Sequence, residues 1–591
     1  MKKIKTAWNL KLLYKGDNDP QIEKDIKSIE NLCELIERKY KGKSFTKTPQ
    51  TLLRALNDQH RLSESIDHSY GATWYFSMKV DLNSNDNKSA AIVTKYGQRL
   101  TEAVNKVKFF GLDIAKIPAS KQKTFLNYSG LKPYKYLLET IFSNSKYLLS
   151  EKEEQLSNLL SQPGYEMWVD TQEKLLSQQT INYKGKILPI AEASALLAEL
   201  PKNERRELQQ KINAVYKSIS HVAEGEINAI YNYKKIMDKR RGYKNPYSAT
   251  VLGYENDENS IEGLVSLVTK SFKISRRFYK LHAKLLGEKK LKTEDRNVKI
   301  GKIKTKFDFT KSVSILRSTL SGIDKEYLGF FEAFLENGQI DVYPKKGKRG
   351  GAYCAGMGKL PTFIFLNYVD DIKSLETLAH ETGHAIHTEM SKSQPARYRN
   401  YSTATAEVAS TFFEQLISEE VENILSDKEK IIFLHSRILG NISTIFRQIA
   451  FFNFELELHN KIRKEGQLSK EDIAKLMQKH LKSYFGDIFD ISVEDGYFFV
   501  NLSHMRRFFY VYSYAYGQII SRALYEKWKE DHSYAKKIKQ FLSAGSSMSP
   551  EDIFKSIGID TSKEEFFEAG LKSIEKDIIK LEKLGKSIVS Q

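Results

Sequence analysis

Thr377 to Met390 reads TLAHETGHAIHTEM, and inside it His380-Glu381-Thr382-Gly383-His384 has the spacing H-E-x-x-H. Residues four apart in a helix stand nearly above one another, so two imidazoles at this spacing converge on one tetrahedral zinc ion. Glu381 projects beside the metal rather than onto it, where it can take a proton from water that the metal has acidified. With 12 histidines in 591 residues, chance gives roughly 0.02 such matches in a chain of this length. The neighbouring sequence also argues against an ordinary amphipathic helix. Leu375, Leu378, Ala379 and Ile386 form an apolar stripe, Asp370 or Asp371 is placed to cap, and Pro361 to Tyr368 (PTFIFLNY) reads as a buried strand just upstream. The stretch therefore predicts a helix near 371–390 with His380 and His384 as metal ligands and Glu381 as general base.

Catalytic zinc usually takes three protein ligands and keeps one position open. Two residues compete for the third place. His387 lies on the same helix but seven residues from His380, roughly 10 Å along the axis at 1.5 Å per residue. Glu407, on a helix expected to start near Thr403, arrives from a second direction and brings charge that offsets the ion. We expect one Zn2+ per chain on His380, His384 and Glu407, with His387 the less favoured ligand, packed beneath the site.

The rest of the chain sets the frame. Long runs rich in Leu, Ile, Lys and Glu, 41% hydrophobic residues and only 12 prolines predict a mainly α globular protein. Cys33 and Cys354 are too far apart in sequence to read as a metal or redox pair and suit a reducing compartment. The first residues lack the apolar core and cleavage site of a secretory signal, and the most apolar segments are broken by charge or too short to span a bilayer, so a cytoplasmic location without membrane attachment is expected. Basic residues exceed acidic ones by 93 − 74 = 19. The excess is diffuse, recurring in 289–311 and at Lys345, Lys346, Lys348 and Arg349, and reads as solvated surface rather than a nucleic-acid site.

In chain order, residues 1–195 read as an N-terminal helical domain and 196–591 as the catalytic domain. Helices are expected around Ile22 to Tyr40, Pro49 to Arg61 and Lys152 to Leu160, with a break at Asn83 to Asn87 and a hairpin turning at Lys184-Gly185. His60 and His68 read as lone surface or core histidines. Helix resumes from about Ala191 to Met237, followed by a charged turn over Asp238 to Pro246. Asn337-Gly338 marks a turn, and strands at Ile340 to Tyr343 and Ala352 to Cys354 offer an edge on which an extended peptide can pair its backbone, with Gly351, Ala352 and Tyr353 as candidate substrate-binding residues. Tyr497 to Ile520 is dense in tyrosine around His504. Either it is an aromatic core helix, or His504 and one or two of Tyr510, Tyr512, Tyr514 and Tyr516, with Tyr510 and Tyr512 slightly preferred, donate hydrogen bonds to an oxyanion.

Taken together, these residues resemble the M3 family of zinc peptidases, in particular its oligoendopeptidase F branch. The resemblance runs from Trp8-Asn9-Leu10 and Leu13-Tyr14 through Arg240-Arg241-Gly242-Tyr243, Gly351-Ala352-Tyr353 and Asn367-Tyr368. It continues through the His380 to His387 segment and Glu407-Val408-Ala409-Ser410 to His504, Phe509-Tyr510-Val511-Tyr512 and Tyr514-Ala515. It implies a largely helical fold with a small sheet beside the metal helix and a deep channel, zinc on His380, His384 and Glu407, and transition-state stabilisation by His504 and the tyrosines after it. It also implies cleavage of short unfolded peptides. Two stretches depart from the family pattern: Ser503-His504-Met505-Arg506 stands where Pro-His-Phe-Tyr is usual, and Cys354 where serine is frequent. The competing readings are an M3-type carboxypeptidase or dipeptidase-like enzyme, and a non-catalytic basic helical binding protein with a relict zinc site.

Overall fold

The first two long helices start where the sequence supplies caps. The computed structural model describes residues 4–589, apart from the side chains of 66–69, 151 and 586–589; His68 lies outside the described side chains. Helix α1 (Pro20–Tyr40) opens on Asp19, whose carboxylate accepts the Gln21 N–H, with proline in the first turn. Helix α2 (Pro49–Leu82) opens on a reciprocal Thr48–Thr51 cap and runs about 20 residues past Arg61, the end expected from the sequence. It stops at Asn83, inside the anticipated break. The hairpin β1 (Thr180–Tyr183) and β2 (Lys186–Pro189) turns at Lys184 and Gly185, both at positive φ of 52° and 77°, the pair of left-handed residues that a two-residue hairpin favours. The charged turn begins later than expected, because helix α3 (Lys202–Arg241) continues through Arg241 to a left-handed Gly242.

The chain packs as two compact units, each made of three segments: Met1–Lys146, Thr305–Glu420 and Lys527–Gly558 form the first, and Tyr147–Lys304, Val421–Glu526 and Ile559–Gln591 the second. In the first unit the apolar faces of α1 and α2 close around Ile26, Ile29, Leu52 and Leu56, all fully buried. Its three-stranded sheet has the order β3 (Ile340–Asp341), β5 (Phe363–Phe365), β4 (Tyr353–Ala355), parallel on one side and antiparallel on the other. Trp8 fastens the start of the chain to this sheet. Its indole N–H donates to the Ile364 carbonyl at 2.8 Å, and its ring packs against Tyr353, Phe363 and Phe365.

Lys348 is not part of a solvated loop. Its side chain is fully buried, 2.6 Å from Asp341, beneath the carbonyls of Tyr343 and Leu366, because the loop before β4 folds back over the sheet. In the second unit a run of aromatic and aliphatic side chains, including Tyr279, Phe446, Phe454, Tyr484 and Phe485, is fully buried. Among the described residues no helix is long and apolar enough to cross a membrane.

Candidate active site

Helix α4 (Ile372–Ser391) is capped by Asp371, whose carboxylate accepts the Ser374 N–H at 2.8 Å. It lies against β4 and β5 and carries His380, Glu381 and His384 across one turn. Helix α5 (Thr403–Ile424) passes close to it at Gly383, where an added Cβ would stand 2.8 Å from the Ser410 Cα; only a glycine lets the two backbones approach this closely. That approach brings in Glu407. One ligand atom each from His380, His384 and Glu407 lies within 4.8 Å of the others, with the two Nε2 atoms 3.2 Å apart and His380 Nε2 3.9 Å from a Glu407 oxygen. Ligands held about 2.0–2.1 Å from a tetrahedral zinc stand roughly 3.3 Å from one another, so the set fits such an ion. His387 faces elsewhere: buried, with its ring flat on Tyr401 at 3.8 Å and Phe541 nearby.

The sequence reading missed one residue. Glu414 sits on α5 two turns after Glu407 and accepts a hydrogen bond from His380 Nδ1. This fixes the ring and leaves Nε2 free to ligate. The spacing of seven, which puts both carboxylates on one helix face, was the available signal.

Burial lowers the pKa of His380, but the hydrogen bond and charge of Glu414, with Glu381 and Glu407, outweigh it and raise the imidazole to about 9 without metal. His384 is held well below its ordinary value by burial and by the neighbouring His380 and His387. Burial brings His387 down to about 3. Glu381 is only 7% exposed; burial pushes it up to about 7, with Glu407 and Glu414 adding to the rise and His380 and the Cys354 N–H opposing it.

The second cluster, in the other unit, is not the continuous core helix that was one of the two sequence readings. Short 3-10 turns at Tyr497–Asn501 and Ser503–Arg507 lead into Phe508 and Phe509, both at positive φ (42° and 62°), before helix α6 (Tyr512–Glu530) begins. Three contacts hold this strained stretch: the Phe509 N–H donates to Glu455 at 3.0 Å, Thr250 donates to the Phe508 carbonyl at 2.7 Å, and Tyr165 donates to the Arg506 carbonyl. His504 Nδ1 is hydrogen-bonded to the Tyr510 hydroxyl, and the Tyr514 hydroxyl lies 3.4 Å from that of Tyr510. Tyr512 is turned into the core, its hydroxyl 2.9 Å from Asn256, and Tyr516 is fully buried. Arg506, the departure noted after His504, is buried in a two-bond pair with Glu226 at 2.6 and 2.7 Å.

Gly351, Ala352 and Tyr353 enter β4, an edge strand whose other side is unpaired within its sheet. Gly351 and Ala352 line two clefts of about 340 and 330 Å³. The Tyr353 hydroxyl bonds to Asp81.

The model of peptidase family M3 matches residues 199–573, and that of an oligopeptidase F segment matches residues 113–179. Oligopeptidase PepF of Bacillus subtilis is 28% identical over 98% of this chain and 88% of its own. The plasmid-borne oligoendopeptidase F of Lactococcus lactis subsp. cremoris is 25% identical over 98% and 97%. Among solved structures, oligoendopeptidase-F from Enterococcus faecium has the same fold at a TM-score of 0.71, with 19% identity over 96% of this chain and 99% of that one. The chain belongs to peptidase family M3.

Proposed function

We propose that this chain is a zinc-dependent endopeptidase that hydrolyses short unfolded peptides, with one Zn2+ held by His380, His384 and Glu407. The reading rests above all on the convergence of those three ligand atoms next to the buried Glu381 carboxyl in a chain of this family. When bound, the ion supplies Lewis acidity to the scissile carbonyl and to water. Glu381 takes the proton of the attacking water and returns it to the leaving amine. In the metal-free site burial raises the Glu381 carboxyl above its ordinary value, the direction that both tasks need at neutral pH.

His504 supplies a hydrogen-bond donor for the oxyanion, and Tyr510 holds its ring from the Nδ1 side. Burial, with the charges of Arg447 and Arg507, brings His504 down to about 4, so the ring is neutral at pH 7. With Tyr510 on Nδ1, the proton sits on Nε2 and can be donated. Tyr514, beside Tyr510, supports this pair. The unpaired edge of β4 at Gly351, Ala352 and Tyr353 pairs with the backbone of an extended peptide, which accepts many sequences in one geometry. The names of the relatives, oligopeptidase and oligoendopeptidase, favour short substrates, and the helical N-terminal part, residues 1–195, is assigned the role of gating their size.

Zinc content and turnover of a mixed peptide pool, with products mapped by mass, test this reading. Cuts at internal bonds of peptides up to about twenty residues, with stably folded proteins left intact, are expected, because a folded domain cannot enter a site that admits one extended chain. Release of terminal residues alone would support the carboxypeptidase alternative. A zinc-loaded protein without turnover would support a non-catalytic binder.

A further inference from the structure

Helix α2 turns one face toward the three-stranded sheet. Trp74, Ser77, Met78 and Asp81 stand at i, i+3, i+4 and i+7, so all four lie along one side of the helix. Met78 is buried against Trp8, Phe363 and Phe365, and Trp74, Tyr353 and Ala355 pack on the same cluster while staying half-buried. Between this face of α2 and strand β4 lies a cleft of about 340 Å³, at the lower end of the range for small-molecule pockets and ample for one large side chain.

The walls of the cleft are mostly apolar, with Trp74 and Met78 on one side and Tyr353 and Ala355 on the other. Its two charged groups are engaged with each other: Asp81 accepts from Arg349 at 3.2 Å and from the Tyr353 hydroxyl, and the Arg349 side chain lies mostly in solvent. Gly350 and Gly351 place no side chain across the cleft, and where each would carry a Cβ the space is open to 4 Å.

Strand geometry connects the cleft to the reacting groups. Successive side chains of β4 point to opposite faces. Tyr353 and Ala355 face α2, and Cys354 faces α4, where the carboxylates of Glu381 and Glu389 act on its thiol and its backbone N–H reaches Glu381. A peptide that extends the sheet at the open edge of β4 repeats this alternation, because directly opposed residues point to the same face. The peptide residue beside Cys354 therefore faces α4 and the general base, and the residues before and after it face α2. Cleft, edge strand and metal cluster all belong to the first compact unit.

We propose that Trp74, Met78, Tyr353 and Ala355 form a specificity pocket that takes one large apolar side chain of the peptide, aromatic or long aliphatic, at a fixed position near the cut bond. The Trp74 indole offers an edge or a face to an aromatic ring, and the flexible Met78 thioether adapts to its shape. A charged side chain would lose water there without gaining a partner, since Asp81 and Arg349 hold each other. The edge strand thus receives backbone of any sequence, and the pocket selects among sequences. The assignment rests on the peptide-cleaving reading above.

Two measurements test it. In the first, a peptide set in which each position in turn is Phe, Leu, Ala or Asp is cleaved by the zinc-loaded protein. At one position Phe and Leu should exceed Ala in kcat/KM by about tenfold or more, mainly through KM, and Asp should fall below Ala. Trp74→Ala should bring the Phe-to-Ala ratio at that position close to unity, Trp74→Phe should keep most of it, and Ser77→Leu, which fills the cleft from α2, should invert it. The profiles at the other positions should stay as in the wild type, which a general loss of structure would not allow. In the second, the same peptides are titrated against the zinc-free protein, so that discrimination is read without turnover. Trp74→Phe and Ser77→Leu keep the test open if Trp74→Ala does not fold. A wild type indifferent to Phe, Ala and Asp at every position would overturn the proposal, as would a preference that Ser77→Leu leaves intact. Discrimination in binding that Ser77→Leu removes, with no cleavage of any peptide, would instead overturn the peptidase reading and leave the pocket standing.

Discussion

The segments carrying His380 and His504 are built on opposite principles. His380 and His384 ride on a regular, well-capped helix, where a spacing of four residues is already a statement about distance. His504 and Tyr510 are separated by Phe508 and Phe509 in left-handed conformations, which cost about 1–3 kcal/mol each for residues of this kind and persist only where the surroundings impose them. Glu455, Thr250 and Tyr165 supply that constraint from 54, 258 and 341 residues away. One cluster is fixed by local geometry and the other by tertiary contacts, so perturbations of the two should differ in kind as well as in size.

The largest effect belongs to the local cluster. Glu381→Gln keeps the ligands and removes the base, so the variant should bind zinc stoichiometrically while kcat falls by about 10²–10⁴. Metal analysis alongside single-substrate kinetics checks this, and a variant retaining more than about a tenth of wild-type turnover would remove Glu381 from the role. His504→Ala comes next. A donor acting on the oxyanion is typically worth about 3–4 kcal/mol in the transition state, so kcat should fall with little change in KM. A rise in KM alone would make His504 a substrate-binding or structural residue.

The same contrast explains what could be read in the sequence. The His380–Glu381–His384 helix, its Asp371 cap and the strand before it are local features, and each appears where its residues predict. The Glu407 helix was also legible, since Thr403–Ile424 begins where expected. That Tyr514 rather than Tyr512 meets Tyr510 was not. The tyrosines at 510, 512, 514 and 516 would fall on successive faces of any regular helix, but the helix begins only at Tyr512, and which hydroxyl meets His504 depends on the strained turn before it. Lys348 was misread for a related reason: a lysine in a charged run reads as solvated, and only the fold brings Asp341 beneath it. Nor does chain order disclose that each compact unit gathers three separate segments.

Glu414 refines the local cluster. An outer carboxylate on a ligand histidine is typically worth 10–100-fold in metal affinity, so Glu414→Gln should weaken zinc binding by about that factor in a competition titration against a chelator. It should also change the proton count. Metal-free His380, at about 9, carries a proton at pH 7 that must leave before Nε2 can ligate, and Glu381, at about 7, is half protonated. Zinc uptake at pH 7 should therefore release roughly one to two protons, read by calorimetry in buffers of different ionisation enthalpy, and affinity should rise with pH up to about 9. Removing the Glu414 carboxylate lowers His380, so fewer protons should leave. An unchanged count in the variant would mean that Glu414 does not hold that proton in place.

The smallest effect probes the nonlocal cluster through charge alone. His504 is brought down to about 4 first by burial, then by Arg447 and Arg507, while the neighbouring Tyr510 is itself held above its ordinary value, chiefly by burial and so stays neutral. A cation beside an imidazole disfavours its protonated form, so Arg447→Gln should move the His504 titration upward from about 4 toward the ordinary 6.5, by less than the full difference because burial and Arg507 remain. The sign is fixed: loss of positive charge can only favour the imidazolium. Histidine-labelled protein followed by NMR between pH 3 and 8 gives the curve directly, with His504→Gln identifying the resonance. A titration that does not move in Arg447→Gln would show that Arg447 and His504 are not coupled, and would leave the strained turn to hold His504 without help from the charge beside it.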